Sequence, residues 1–256
     1  GFKRLDKILI THNHLDHILG LGGLLSTFSR WESFEQIEIW AGKHALQRIH
    51  DLIYGVVLRG DRTQLKVELK ELRPGMIIES DTLELHAFPV THRGASCFGF
   101  IFAEKDRRPF LVETATSLGI PIGPQRSDLV RGKSVTLEDG RVIKPNDVLG
   151  PPTSGTKLVH VGDASRTDDI YEYCQGANAL IIEATYLERE RDLARRFGHL
   201  TAHQAATLGN DADVSRLYLT HFSRRYRERE ILVEAQGVFP NVVVARDFDR
   251  FQVNRG

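Results

Sequence analysis

Four potential metal donors fall within six residues, His12-Asn13-His14-Leu15-Asp16-His17, directly after the apolar run Ile8-Leu9-Ile10. That pattern constrains the fold more than any other feature of the chain. It calls for a short buried strand that delivers its ligands to a loop, which then turns into a helix. In an extended segment residues two apart point the same way, so His12 and His14 share a face. Asp16 and His17 follow at the turn, where they can face a second ion. Neutral imidazoles with a carboxylate suit zinc or a similar borderline cation. A single loop histidine is more often solvated than ligating, but a cluster this dense reads as a metal site.

Further donors stand at the ends of other apolar runs. His92 follows Phe88-Pro89-Val90-Thr91, Asp163 follows His160-Val161-Gly162, and His221 follows Leu217-Tyr218-Leu219-Thr220. Taken singly, His92 or His221 reads as a satisfied core histidine. Sharing the strand-end placement at which α/β sheets gather their sites, they read as one set. A bridging aspartate with three further ligands per metal leaves positions open for water and substrate, as a two-metal hydrolase requires.

Strand and helix signals take turns along the chain. Strands are predicted at 7–11, 36–41, 66–72, 82–90, 98–103, 157–161, 179–183, 216–220 and 242–245. Helices are predicted at 18–28, 43–54, 201–208 (capped by Thr201) and 226–236. This mixture implies layered α/β architecture. Residues 118–156 break the rhythm, being rich in Gly and Pro, with a hairpin expected to turn at Asp139-Gly140. A long irregular stretch of this kind is usually functional, and it reads as a protruding arm inserted in a single domain covering residues 1–256.

Composition excludes several classes. With 41% hydrophobic and 27% charged residues the chain is globular. No apolar run approaches the roughly 20 residues needed to cross a bilayer. The 34 basic residues balance 34 acidic ones, so RNA binding would have to come from local basic patches. Between Pro124 and Lys144 five cations (Arg126, Arg131, Lys133, Arg141, Lys144) face three acidic residues, a local excess suited to gripping RNA by shape. Cys97 and Cys174 cannot build a disulfide framework and read as packed thiols, as His44, His50, His86, His160 and His203 read as structural. The cytoplasm is the expected compartment. The opening Gly1-Phe2-Lys3-Arg4 lacks a methionine and reaches the donor cluster at once, so the chain reads as N-terminally incomplete.

The six-residue cluster with downstream His, Asp and His resembles the metallo-β-lactamase superfamily. Finer features are similar to its tRNA 3′-processing branch, the ribonuclease Z endonucleases. They are Gly162-Asp163-Ala164, Ile182-Glu183-Ala184-Thr185, His199-Leu200-Thr201, Leu219-Thr220-His221-Phe222-Ser223-Arg224-Arg225-Tyr226, and the Gly119-Ile120-Pro121-Ile122-Gly123-Pro124 arm. The resemblance implies a four-layer αβ/βα sandwich. It implies two zinc ions, with manganese as the other candidate: His12, His14 and His92 on one, Asp16, His17 and His221 on the other, and Asp163 between them. It further implies that Asp16 orients or deprotonates the attacking water and that His199 protonates the leaving 3′ oxygen, oriented by Glu183. Arg224, Gly123 and Pro124 would touch substrate. The implied activity is removal of the 3′ trailer from precursor tRNA by a homodimer. Two departures stand out: Leu15 replaces a usual glycine and is expected to crowd the turn, and Ala164 replaces a usual threonine after Asp163. Two alternatives remain open, a small-molecule or cyclic-nucleotide phosphodiesterase of the same fold and a non-catalytic RNA-binding fragment.

Overall fold

The computed structural model describes residues 5–31, 35–60 and 65–255; residues 1–4, on which the reading of an incomplete start rests, lie outside them. In chain order the elements are β1 (Lys7–Leu9), α1 (Leu15–Ile18), α2 (Gly20–Trp31), β2 (Gln36–Ala41), α3 (Lys43–Leu52), β3 (Lys66–Glu71), β4 (Gly75–Glu79), β5 (Leu83–Pro89) and β6 (Phe98–Glu104). Then come α4 (Val112–Ser117), α5 (Pro124–Val130), β7 (Val135–Thr136), β8 (Val142–Ile143), α6 (Pro145–Val148), β9 (Lys157–Gly162), α7 (Tyr171–Cys174) and β10 (Ala179–Glu183). The last are α8 (Arg191–Phe197), α9 (Ala202–Asp211), β11 (Leu217–Thr220), α10 (Glu228–Gln236) and β12 (Val242–Val244).

One compact unit contains residues up to Ala103 and Thr156–Asn254. It holds a parallel sheet, β1-β2-β3, and a seven-stranded mixed sheet in the order β12-β11-β10-β9-β6-β5-β4. Alternation along β2 decides the layering. Ile37, Ile39 and Ala41 bury one way against Leu21, Leu25 and Phe28 of α2 and Ala45 and Ile49 of α3. Trp40, with Leu9 of β1, turns the other way onto Leu85, Ala87, Phe98 and Phe100 of β5 and β6. Burying an Ile is worth roughly 1.5–3 kcal/mol, and a one-residue slip would move Ile37 and Ile39 to the wrong face, so the register is firmly specified. On the far face of the larger sheet, Val159, Val161, Leu180, Ile182, Leu217 and Leu219 pack against Ala205 and Ala206 of α9 and Ile231 and Ala235 of α10. The layers therefore run helix, sheet, sheet, helix.

The second compact unit is Glu104–Gly155, which begins ahead of the rise in Gly and Pro at residue 118. It is not irregular. Three short helices and the β7–β8 hairpin surround a small core of Ala115, Ile120, Leu129, Leu137, Ile143 and Val148. Pro124 and Pro145, part of the Gly/Pro content that made the segment read as irregular, each open a helix at its first turn, where the missing N–H costs nothing. The hairpin turns at Asp139-Gly140, with Gly140 at φ 83°. Two cations expected to serve RNA are spent internally: the Arg126 guanidinium donates to the Ile120 carbonyl at 2.7 Å, and Arg141 pairs with Asp139 at 2.7 Å.

Local patterning missed β4, whose start is marked by Pro74-Gly75, and the short helices α7 and α8. It also merged α3 with a π turn at Ile53–Val57. Leu15 does not crowd the turn; it opens α1 with its side chain 53% exposed. Cys97 and Cys174 are buried free thiols, and burial pushes them up to about 11 and about 12.

Candidate metal centre

The candidate donors stand at strand ends or just beyond them, except Asp16 and His17, which lie on α1 directly after the β1 loop. His12 and His14 follow β1, His92 follows β5, Asp163 follows β9, and His221 follows β11. The parallel run β9-β10-β11 brings Asp163, Glu183 and His221 to one edge. Gly162 lets the β9 end approach the first ligand loop: it sits at φ +74°, and a Cβ there would come 3.0 Å from Thr11 Cγ2. His221 is at φ 54°, a strained conformation for a non-glycine residue, of the kind that concentrates at functional sites.

The donors meet around one carboxylate oxygen. Asp163 Oδ2 lies 3.7 Å from His12 Nε2 and 3.8 Å from His92 Nε2, while His14 Nδ1 is 3.0 Å from His12 Nε2 and 3.2 Å from His92 Nε2. On its other side the same oxygen lies 3.4 Å from His17 Nε2 and 3.5 Å from His221 Nε2. Asp16 Oδ2 sits 3.5 Å from His17 Nε2 and 3.4 Å from His221 Nε2. A tetrahedral zinc with bonds of about 2.0–2.1 Å spaces its ligands about 3.3 Å apart. Both donor groups have edges near that length. Among the described residues, His17 Nε2 and Asp163 Oδ1 are buried without a hydrogen-bond partner, which is costly unless something else binds them. The residues present therefore fit a pair of cations, and these groups could hold them.

Protonation favours the same use. Burial pushes His12 down to about 3 and His92 down to about 4, and it lowers His14, so these imidazoles are neutral near pH 7 with lone pairs available. Burial alone would raise Asp163, but His17, 3.4 Å away, and the other imidazoles around it hold it well below the usual carboxylate range. The ring orientations are fixed from behind. His92 Nδ1–H donates to the Gly198 carbonyl at 2.8 Å, which leaves Nε2 facing the cluster. The Thr185 hydroxyl, 2.5 Å from Glu183 Oε2 and 2.8 Å from the His221 carbonyl, has one proton to give them and accepts from His221 Nδ1–H at 3.0 Å.

Beside the donors stands a second device. Glu183 is fully buried at the end of β10 and accepts from the Ala164 N–H at 2.8 Å and from His199 Nδ1–H at 2.9 Å. Burial lowers the affinity of His199 for a proton, but the bond to Glu183 outweighs this and leaves it raised. His199 Nδ1 is also 3.9 Å from Asp163 Oδ2. Arg224 lies just past His221 in a surface depression of about 740 Å³ whose lining includes Arg227, Arg229 and Arg246. Gly123 and Pro124 belong to the separate Glu104–Gly155 unit. Thr185, Ser165 and Gly198 had no role assigned from sequence. Only Thr185, a hydroxyl two residues after Glu183 at a strand end, carried a usable signal.

Residues 1–147 match the family model of the β-lactamase superfamily domain. The fold and its paired donor groups define the class: this is a metallo-β-lactamase-fold protein. Ribonuclease Z of Bradyrhizobium diazoefficiens is 44% identical over 253 residues, spanning 99% of this chain and 84% of that protein. Ribonuclease Z of Bacillus subtilis is 34% identical over 258 residues, 99% of this chain and 83% of that one. The chain belongs to the ribonuclease Z family. Among solved structures, human tRNase Z, short form, superposes with a TM-score of 0.64 at 24% identity, over 99% of this chain and 81% of that one. The metallo-β-lactamase-fold protein YhfI of B. subtilis gives 0.62 at 17%, over 94% and 75%.

Proposed function

We propose that this protein is an endoribonuclease that removes the 3′ trailer from precursor tRNA, using two zinc ions. The observation that carries the reading is the Glu183–His199 pair beside two donor groups that share Asp163 Oδ2. His12, His14 and His92 would hold one ion and Asp16, His17 and His221 the other, with Asp163 between the two groups. Bound there, the ions supply Lewis acidity toward a phosphodiester and lower the pKa of water toward about 7.

The chain's own groups do the rest. Asp16, at the exposed edge of the cluster, orients the attacking water and can accept its proton. His199 carries a proton at Nε2, because Nδ1 is committed to Glu183, and delivers it to the departing 3′ oxygen. Glu183 positions His199 and keeps it charged. Arg224 and its neighbours hold phosphate in the adjoining depression, and the Glu104–Gly155 unit, with Gly123-Pro124 at the start of α5, grips the folded RNA. The exposed cations Arg131, Lys133 and Lys144 remain for that grip. The acting species is a homodimer; exposed Leu19 and Val56 offer apolar surface for pairing.

The test is cleavage of one end-labelled precursor tRNA by metal-loaded protein, with bis(p-nitrophenyl) phosphate alongside. One cut at the 3′ side of the acceptor stem is expected. Turnover of the small diester with no cut in the RNA would favour a small-molecule phosphodiesterase instead, and bound RNA with neither reaction a non-catalytic binder.

A further inference from the structure

Arg93 follows the donor His92 directly, is exposed, and makes no hydrogen bond or ion pair among the described residues. Its guanidinium carbon lies 6.0 Å from the centre of the Phe197 ring, within cation–π range. Phe197 is 37% exposed and its ring also carries the Arg196 guanidinium, 5.7 Å from its centre, while the backbone that bears it is tied to the metal centre. Phe197 ends α8, and the next residue, Gly198, takes a left-handed conformation at φ 71°. The Gly198 carbonyl accepts both from His92 Nδ1–H at 2.8 Å and from the Ser165 hydroxyl at 2.9 Å. The glycine is needed for the close approach as well, since a Cβ at 198 would fall 2.7 Å from Arg93 Cγ.

A guanidinium resting on an aromatic face keeps its in-plane N–H groups unspent. Its charge reaches the site, because both His14 and His199 feel it. An exposed cation with a free donor fork, next to a centre that receives a phosphodiester, suits bidentate phosphate recognition. We propose that Arg93, braced by Phe197, binds an RNA phosphate flanking the scissile one and so sets the strand's register across the metal centre. This rests on the endoribonuclease reading for the identity of the strand.

The experiment measures equilibrium binding of holoenzyme to precursor tRNA carrying a phosphorothioate at the cleavage position, from 50 to 200 mM salt. Arg93→Ala should weaken binding about tenfold and make the log–log salt slope shallower by about one. Arg93→Lys should recover the slope but only part of the affinity, because the ammonium lacks the fork. Phe197→Leu should weaken binding while leaving the slope intact. Metal content and melting temperature of each variant show that it is folded. Unchanged affinity and slope in Arg93→Ala would overturn the proposal. So would a loss of kcat with an unchanged slope, since Arg93 would then act only on the charge of the imidazoles. Wild-type protein that binds the unmodified RNA without cutting it would refute the function reading alone, and protein that does not bind would refute both.

Discussion

A single hydrogen bond, 2.9 Å from His199 Nδ1 to Glu183 Oε1, decides which nitrogen of His199 faces substrate and how firmly it holds its proton. His199→Ala should slow precursor cleavage by about 10²–10⁴, the usual loss for a general acid, with metal content unchanged. The loss should shrink on bis(p-nitrophenyl) phosphate, whose leaving group needs no proton. Equal losses on the two substrates would make His199 a support for the metal site. A pH profile tests the partner. Because Glu183 favours the charged imidazole, His199 keeps its proton above the ordinary histidine range, and the rate should fall as pH rises through that raised value. Glu183→Gln removes the favouring charge, so this alkaline limb should move to lower pH; a limb that stays in place means another group sets it. The donor residues were legible because they follow apolar runs or cluster just after one, and the Glu183–His199 pair only through the family resemblance of its motifs. The supports behind them were not. His221 at positive φ, the Thr185 hydroxyl between two histidines and the Gly198 carbonyl under His92 are bonds closed by the fold, across 36 residues for Thr185 and 106 for Gly198.

Among the elements, the strands were the most legible, since the alternation in Gln36–Ala41 and the near-continuous apolar run in Ala179–Glu183 follow directly from their burial. The Glu104–Gly155 unit was the least legible. Its prolines sit at helix starts, its helices are four to seven residues long, and its core of six buried side chains is too small to leave a periodic trace. The ends of the unit meet: the carbonyl of Glu104 stands 1.8 Å from where a Gly155 Cβ would lie, and Arg107 bridges to Thr153. Replacing residues 105–154 with a short Gly/Ser linker should therefore spare the other unit, which holds every proposed ligand. The deletion is expected to raise KM for precursor tRNA, to flatten its salt dependence because fewer phosphates are contacted, and to leave metal content alone. KM and salt slope equal to those of the intact protein would show that this unit does not hold RNA. Loss of the metal together with the unit would show that it supports the centre instead.

For the whole molecule, the layered α/β class was readable from alternating strand and helix signals, but the strand order was not. The seven-stranded sheet places β9 beside β6, with the Glu104–Gly155 unit lying between them in sequence. No local pattern carries a pairing of that kind; it goes with burying Phe100 on one face of the sheet and Val159 and Val161 on the other. Nor is any helix among the described residues long and apolar enough to cross a membrane. What the architecture accomplishes is to bring donors from β1, β5, β9 and β11 onto one oxygen of Asp163. The most direct test of that claim is elemental analysis of the folded protein after zinc loading and dialysis. The account predicts two metal ions per chain, with both sites disturbed by Asp163→Ala and mainly one by His92→Ala. One ion or none in protein shown to be folded, or full metal content in Asp163→Ala, would contradict it.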